Sequence, residues 1–339
     1  MTSREIALKI FKRSSNGSGC GWTGHPSSGF INKCAEEWGI GKSAEAIFEY
    51  LDDDCRWIPA DSGYKHPEGL PPFNPYTDST RSSGFSKSGV FANAQSVADI
   101  ERYPWPDVKY LDFTDVYNEI ERYPDKMVFT GMWSHFFHLV ADFFGMEKYF
   151  MNMYDCPELV EAVTEHVVSF YEEANDKFFR SLNGRADVMF FGNDFGSQLD
   201  LLISVKAFRR FILPYFKRLI NVGKKHNMFI MLHSCGSIYK IIPDLIDAGV
   251  DAIHPIQAAA ANMNADSLKQ FKNDVAFIGG IDAQTFFVNS TPEQIHDEVR
   301  RVRDILGPNI IISPSHEEIL PNVPPANVKA MMCEAKKIN

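Results

Sequence analysis

The chain has no excess of basic residues, no membrane-length apolar run, no cysteine framework and no glycine-rich phosphate loop. Each absence removes a class of protein. Lys and Arg number 34 against 44 Asp and Glu, a formal charge of −10, which speaks against duplex nucleic acid and anionic membranes as partners, because both need a basic footprint. No stretch approaches the roughly 18 consecutive apolar residues of a membrane span. The first ten residues, from Met1 to Ile10, are too charged for a secretory signal, so a cytoplasmic location is expected. The six cysteines, Cys20, Cys34, Cys55, Cys156, Cys235 and Cys333, lie far apart and read as reduced thiols. No G-x-G-x-x-G or Walker loop follows any of the strand-like runs, and no G-x-S-x-G elbow is present, which removes the usual marks of dinucleotide binding and of a serine nucleophile.

What is there is globular. Hydrophobic residues make up 45% and charged residues 23% of 339, the range of a folded enzyme. The 27 Phe and 12 Tyr point to a large aromatic core or a roomy pocket. From about residue 125 onward short apolar runs alternate with amphipathic stretches. The runs are Met127 to Thr130, Val188 to Phe191, Met228 to Leu232, Ala252 to Ile253, Val275 to Ile278 and Ile310 to Ile312. Gly21 to Gly24 and Cys55 to Pro59 are two weaker candidates. Helices are expected from Asp155, with a capping-box spacing to Glu158, to Phe179; from Lys206 to His226, kinked or split at Pro214; after the Thr291–Gln294 box; and from Asn327 to Lys336. Nearly continuous apolar strands separated by helices predict a parallel sheet covered on both faces. Six clear and two weak strands predict an α/β fold of the (β/α)₈ TIM-barrel type. A single barrel domain over residues 1–339, with an irregular N-terminal portion over 1–124, is expected. The Gly-, Pro- and Ser-rich stretch from Asp61 to Ser88 is expected to be a lid or rim.

In a parallel barrel the chemistry lies where strands end. Here the runs end abruptly in polar residues: Trp133, Ser134, His135 and His138; Asn193 and Asp194; His233, Ser234 and Cys235; His254; Asp282; and His316, Glu317 and Glu318. Residues two apart in an extended segment point the same way, so His233 and Cys235 can grip one metal ion. With 10 His and 6 Cys in 339 positions, chance supplies about 0.18 such pairs, so spacing alone decides nothing. The strand-end position and a third candidate, His316, at a distant strand end strengthen it. Three N/S ligands with an open fourth position make a catalytic zinc layout, and one Zn²⁺ is expected, with no tightly bound organic cofactor. Glu317, Glu318 and Asp194 are alternative third ligands; Cys333, within a helix, is not favoured. Asn193, Asp194 and Asp282 are candidate catalytic groups, and His25, His135 and His254 candidate substrate-facing groups.

His233-Ser-Cys235-Gly236, Pro243 to Asp251, Gly279-Gly280-Ile281-Asp282 and Ser313-Pro-Ser-His316 resemble the uroporphyrinogen decarboxylase superfamily, and more closely its zinc-dependent, corrinoid-linked methyltransferase branch. Gly192-Asn193-Asp194, Ser204, Phe208, Pro214 and Tyr215 resemble its middle region. The likeness covers roughly residues 125 to 339 and implies a (β/α)₈ barrel. The Arg-rich substrate signature of true decarboxylases is not found between Met1 and Phe30. The methyltransferase branch implies zinc on a His-x-Cys pair and a later Cys, near which this chain has His316. It also implies methyl transfer between a methyl-corrinoid protein and a thiol or similar small acceptor. A neutral imidazole in place of a second thiolate leaves zinc a stronger Lewis acid and a bound thiolate less reactive. Two other functions compete. One is a lyase acting on a carboxylated substrate, which needs arginine at the mouth, with Arg56, Arg81 and Arg102 as candidates. The other is a non-catalytic ligand-binding barrel.

Overall fold

Seven parallel strands form one sheet in chain order: β1 (Cys55–Pro59), β2 (Met127–Gly131), β3 (Val188–Gly192), β4 (Phe229–His233), β5 (Ala252–Ile256), β6 (Ala276–Ile281) and β7 (Ile310–Pro314). The computed structural model describes residues 1–76 and 88–337. All six clear apolar runs are strands, each extended by one to three residues toward its polar end. The weak candidate at Cys55 to Pro59 is a strand as well.

The other weak candidate closes the sheet. Gly21 forms a parallel bridge with Ile312 of β7, and the Trp22 N–H donates to the Ile312 carbonyl at 2.9 Å. On its other side the Gly21 carbonyl accepts from the Asp54 N–H at 3.3 Å, at the start of β1. A single bridge thus occupies the eighth position of a (β/α)₈ barrel. Beyond it His25–Pro26 pairs in parallel with Glu318–Ile319, the segment that follows β7.

Strand residues alternate between two cores. Met127, Phe129, Val188, Phe190, Met231, Ala252, Ala276, Ile278 and Ile311 pack with Trp22 inside the barrel. Their neighbours Val128, Met189, Phe191, Ile230, Leu232, Ile253, Phe277 and Ile310 pack outward against the helices. This is the period of two of a pleated strand with both faces buried. The helix Ser3–Phe11 adds Ala7, Ile10 and Phe11 to the inner core, and Arg4 ties it to Asp187 at 2.7 Å.

Two helix boundaries differ from expectation. Asp155 closes the helix Met146–Asp155, and Cys156 is the junction to the helix Pro157–Arg180. No side-chain cap forms there, because the residue expected to cap is already helical. Around Pro214, Val205–Ala207 passes through a π turn, Phe208–Ile212, into Leu213–Lys225. The proline, which lacks a backbone donor, begins the second piece. Of the expected lid, residues 77–87 lie outside the described residues. Among the described residues no helix is long and apolar enough to cross a membrane.

Candidate metal centre

His233 and His254 follow the inward-facing Met231 and Ala252 by two residues, so both rings point into the top of the barrel. They are register partners on adjacent strands. Cys235 comes next on the loop after β4, and Asp194 on the loop after β3. The Asp194 carboxylate accepts from the Cys235 N–H at 2.8 Å and lies 3.3 Å from His233 Nε2. Cys235 Sγ is 3.4 Å from the same nitrogen. Ligand atoms about 2.0–2.3 Å from a tetrahedral zinc stand about 3.3–3.8 Å from one another, so both distances to His233 Nε2 are those of one coordination sphere. Asp194, His233 and Cys235 have their ligand atoms within 4.8 Å of one another.

A second group shares the sulfur. Cys235, His316 and Glu317 also meet within 4.8 Å. Glu317 Oε2 lies 3.6 Å from His233 Nδ1 and 3.7 Å from His316 Nδ1, and it is buried with no hydrogen-bond partner. A buried carboxylate oxygen without a donor is costly, and a cation between these groups satisfies it. The donor set, two imidazoles, a thiol and two carboxylates, fits zinc better than magnesium or calcium.

The electrostatics are those of a charged pair under cover. His233 is 3% exposed. Burial alone disfavours its charged form, but Asp194, then Cys235, then the charge on Glu317 outweigh it and raise the ring's pKa to about 10. Burial likewise works against ionised Asp194, and His233 with the Cys235 N–H overrides it, holding the carboxyl well below its usual range. Burial pushes the Cys235 thiol up despite His233. His254, 0% exposed, is kept neutral by burial and by the charges of His233 and His316. Its Nδ1 meets His233 Nδ1 at 3.1 Å.

The loop after β4 is held by backbone contacts. The Gly236 N–H donates to Gln257 Oε1 at 2.6 Å, and Ser234 Oγ accepts from the Phe195 N–H at 3.0 Å. Gly236 has φ +81°, and an added Cβ would lie 2.4 Å from the Gly196 backbone. Gly236→Ala is therefore expected to cost on the order of 1–3 kcal/mol in denaturant unfolding and to lower metal content by displacing Cys235. Gly192, the register neighbour of His233, has no side chain because a Cβ there would meet Trp133 at 2.2 Å. The Trp133 ring covers His233 at 5.3 Å between centroids.

The other expected residues lie as follows. His316 is exposed, and its Nδ1 accepts from the Glu318 N–H at 3.0 Å. Asn193 is buried, accepting from the Phe137 N–H and donating to the Ser134 carbonyl. Asp282 accepts from the N–H groups of Gln284, Thr285 and Phe286 and from the Thr285 hydroxyl, the pattern of a helix-capping aspartate. His135 is half-buried at the start of the helix Phe136–Phe144, and desolvation lowers its ring to about 4. His25 is exposed on the rim, opposite Glu318 in register. Arg56 is buried against Glu45 and the Asp53 and Cys55 carbonyls, and Arg102 pairs with Asp99 on the surface. Neither contacts the cluster, and Arg81 lies outside the described residues. His138, named in the sequence only among the polar residues after the Met127 run, reaches the cluster. Its Nε2 accepts from the Asp194 N–H at 3.2 Å and stands 3.8 Å from Asp194 Oδ2.

Fold and site together define a parallel barrel with a ligand cluster at the carboxyl ends of its strands. The chain belongs to the uroporphyrinogen decarboxylase (URO-D) family, whose model matches residues 87–338. Its fold is that of a solved methyltransferase from Methanosarcina mazei, with a TM-score of 0.68 at 15% identity, covering 99% of this chain and 98% of that one. Among curated proteins it is similar to a methylated-thiol–coenzyme M methyltransferase of Methanosarcina mazei, 28% identical over 114 residues, 31% of this chain and 28% of that protein. It is also similar to a methylcobamide:CoM methyltransferase of Methanosarcina acetivorans, 26% identical over 136 residues, 40% of this chain and 38% of that protein. The matched part thus spans about a third of these relatives' length.

Proposed function

We propose that the chain, as one barrel domain over residues 1–339, is a zinc-dependent methyltransferase that moves a methyl group between a corrinoid protein and a thiol or similar small acceptor. The observation that carries this is the cluster of Asp194, His233 and Cys235 at ligand spacing over the barrel interior. The names of the relatives, methyltransferases of coenzyme M and of methylcobamide, support the reaction class.

In this reading His233 Nε2, Cys235 Sγ and an Asp194 oxygen would hold the ion, which would take the acceptor's sulfur as a further ligand. Bound zinc lowers the pKa of a coordinated thiol so that the acceptor is a thiolate near neutral pH. Asp194 supplies the second negative ligand that an imidazole does not, which offsets the excess Lewis acidity of a one-thiolate site. Glu317 Oε2 takes the acceptor's proton, being a buried acceptor with no donor of its own. His254 holds the His233 ring from behind, as outer partners of ligating histidines do. Trp133 lies over His233 and keeps water off that flank.

The test is metal analysis of protein purified without chelator, followed by thiol methylation from methylcobalamin. About one zinc per chain is expected, with Cys235→Ala losing both zinc and turnover. A chain without zinc, unchanged by Cys235→Ala, sinks the proposal. A lyase acting on a carboxylated substrate is disfavoured, because among the described residues no arginine contacts the cluster.

A further inference from the structure

A cavity of about 370 Å³ opens beside the cluster, between the ends of β6 and β7 and the segment after β7. His316 is part of its wall, and the same residue meets Cys235 and Glu317 within 4.8 Å. A molecule seated there therefore ends at the sulfur that both ligand groups share.

The chemistry of the wall is specific. It carries amides, Gln257, Gln284 and Asn322, beside apolar Phe287 and Leu320, and its one carboxylate is Glu318. No lysine or arginine lines it among the described residues. The Gln257 oxygen is committed to the Gly236 N–H, which leaves its NH₂ as a donor. Asp282, next to lining Ala283, and Glu317, next to lining His316, add negative charge close by. One ammonium stands by the wall, Lys33, and it donates to the carbonyls of Pro321 and lining Val323 at 3.4 and 3.3 Å; an anion held here would be stripped of water beside carboxylates that outnumber that ammonium. A neutral group with a carbonyl, amide or hydroxyl end finds amide partners and an apolar bed.

We infer that this cavity is the acceptor subsite, and that it takes an uncharged thiol with a part-apolar body and a hydrogen-bonding end rather than a thiol bearing a carboxylate or sulfonate. The inference rests on the thiol-methylation reading for which end of the acceptor meets the metal. Its charge selectivity rests on the cavity alone.

Two measurements separate these. In cobalt(II)-loaded protein Cys235 already gives a thiolate charge-transfer band, and a coordinated probe thiol adds a further band, read as the difference from protein alone. N-acetylcysteamine is expected to saturate that band at about tenfold lower concentration than 2-mercaptoethanesulfonate. Asn322→Arg, at an exposed position on the wall, is expected to shrink that ratio about fivefold or more while keeping the band. Equal or tighter binding of the sulfonate, or a ratio unmoved by Asn322→Arg, overturns the inference. The second measurement is ligand-observed NMR on the metal-free chain with the S-methyl forms of the same two probes. The neutral form is expected to bind preferentially, and a sulfonate that binds equally well overturns the assignment. A kept preference there, with no further cobalt band from any probe thiol, upholds the cavity and overturns only thiol coordination.

Discussion

Purified His233→Ala protein is expected to hold less than about a tenth of a zinc per chain, whereas His316→Ala retains nearly all of it. The reason is position. His233 Nε2 is the atom that Asp194 and Cys235 both face, at 3.3 and 3.4 Å, and His233 Nδ1 faces Glu317 at 3.6 Å. Removing the ring removes the centre of the Asp194, His233 and Cys235 group and a neighbour of Glu317 in the second. It also leaves the Asp194 charge without its main partner, and because that carboxylate is 39% exposed the metal-free variant loses only about 1–2 kcal/mol in urea unfolding. Asp194→Ala is expected to weaken zinc by roughly 100-fold in competition with a chelating dye. His316 is exposed and already accepts from the Glu318 N–H, so its loss changes affinity by less than about threefold. Zinc content that follows His316 and ignores Asp194 would reverse the ligand assignment.

Zinc affinity is also expected to climb steeply with pH, by up to about 100-fold per unit between pH 6 and 8. In the metal-free chain His233 has a pKa of about 10, and burial has pushed the Cys235 thiol up as well. Both therefore carry a proton at neutral pH, and both must lose it to bind. Asp194, held well below its usual range, is already ionised and adds no proton. Two protons released per zinc, read with an indicator dye in weak buffer, check this. A slope near zero would mean the metal sits elsewhere. The metal-free protein shows the opposite trend. A histidine raised from about 6.5 to about 10 contributes its full stability below pH 6.5. It loses that contribution as pH rises through 10, by an amount on the order of a few kcal/mol.

How much of this was legible in the sequence depended on how local the signal was. Each of the six clear runs is a strand because residues such as Met127-Val128-Phe129 are buried on both faces, which writes the strand as unbroken apolar sequence. The closing segment at Gly21 was weaker, since one bridge leaves no periodicity to read. Pro214 marked a break, but the π turn before it left no mark. The expected cap at Asp155 failed because the previous helix runs up to it. At the site, His233 and Cys235 are two residues apart and were visible together. Asp194 lies on the loop of a neighbouring strand, and only the β3–β4 register, Gly192 beside His233, brings it near. Glu317 and His316 are adjacent in sequence, and which of them faces the cluster is decided by the loop after β7.

The inner core has a further consequence. Trp22, Phe129 and Phe190 stack edge to face beneath the two histidines, with centroids 5.1 to 6.1 Å apart, and the helix Ser3–Phe11 stoppers the far end. Among the described residues the far end of the barrel is plugged, which leaves the strand-end mouth as the way to His233. On the proposed reaction a bulky donor and a small acceptor share that mouth, and an obligatory order of addition, small reactant first, is expected.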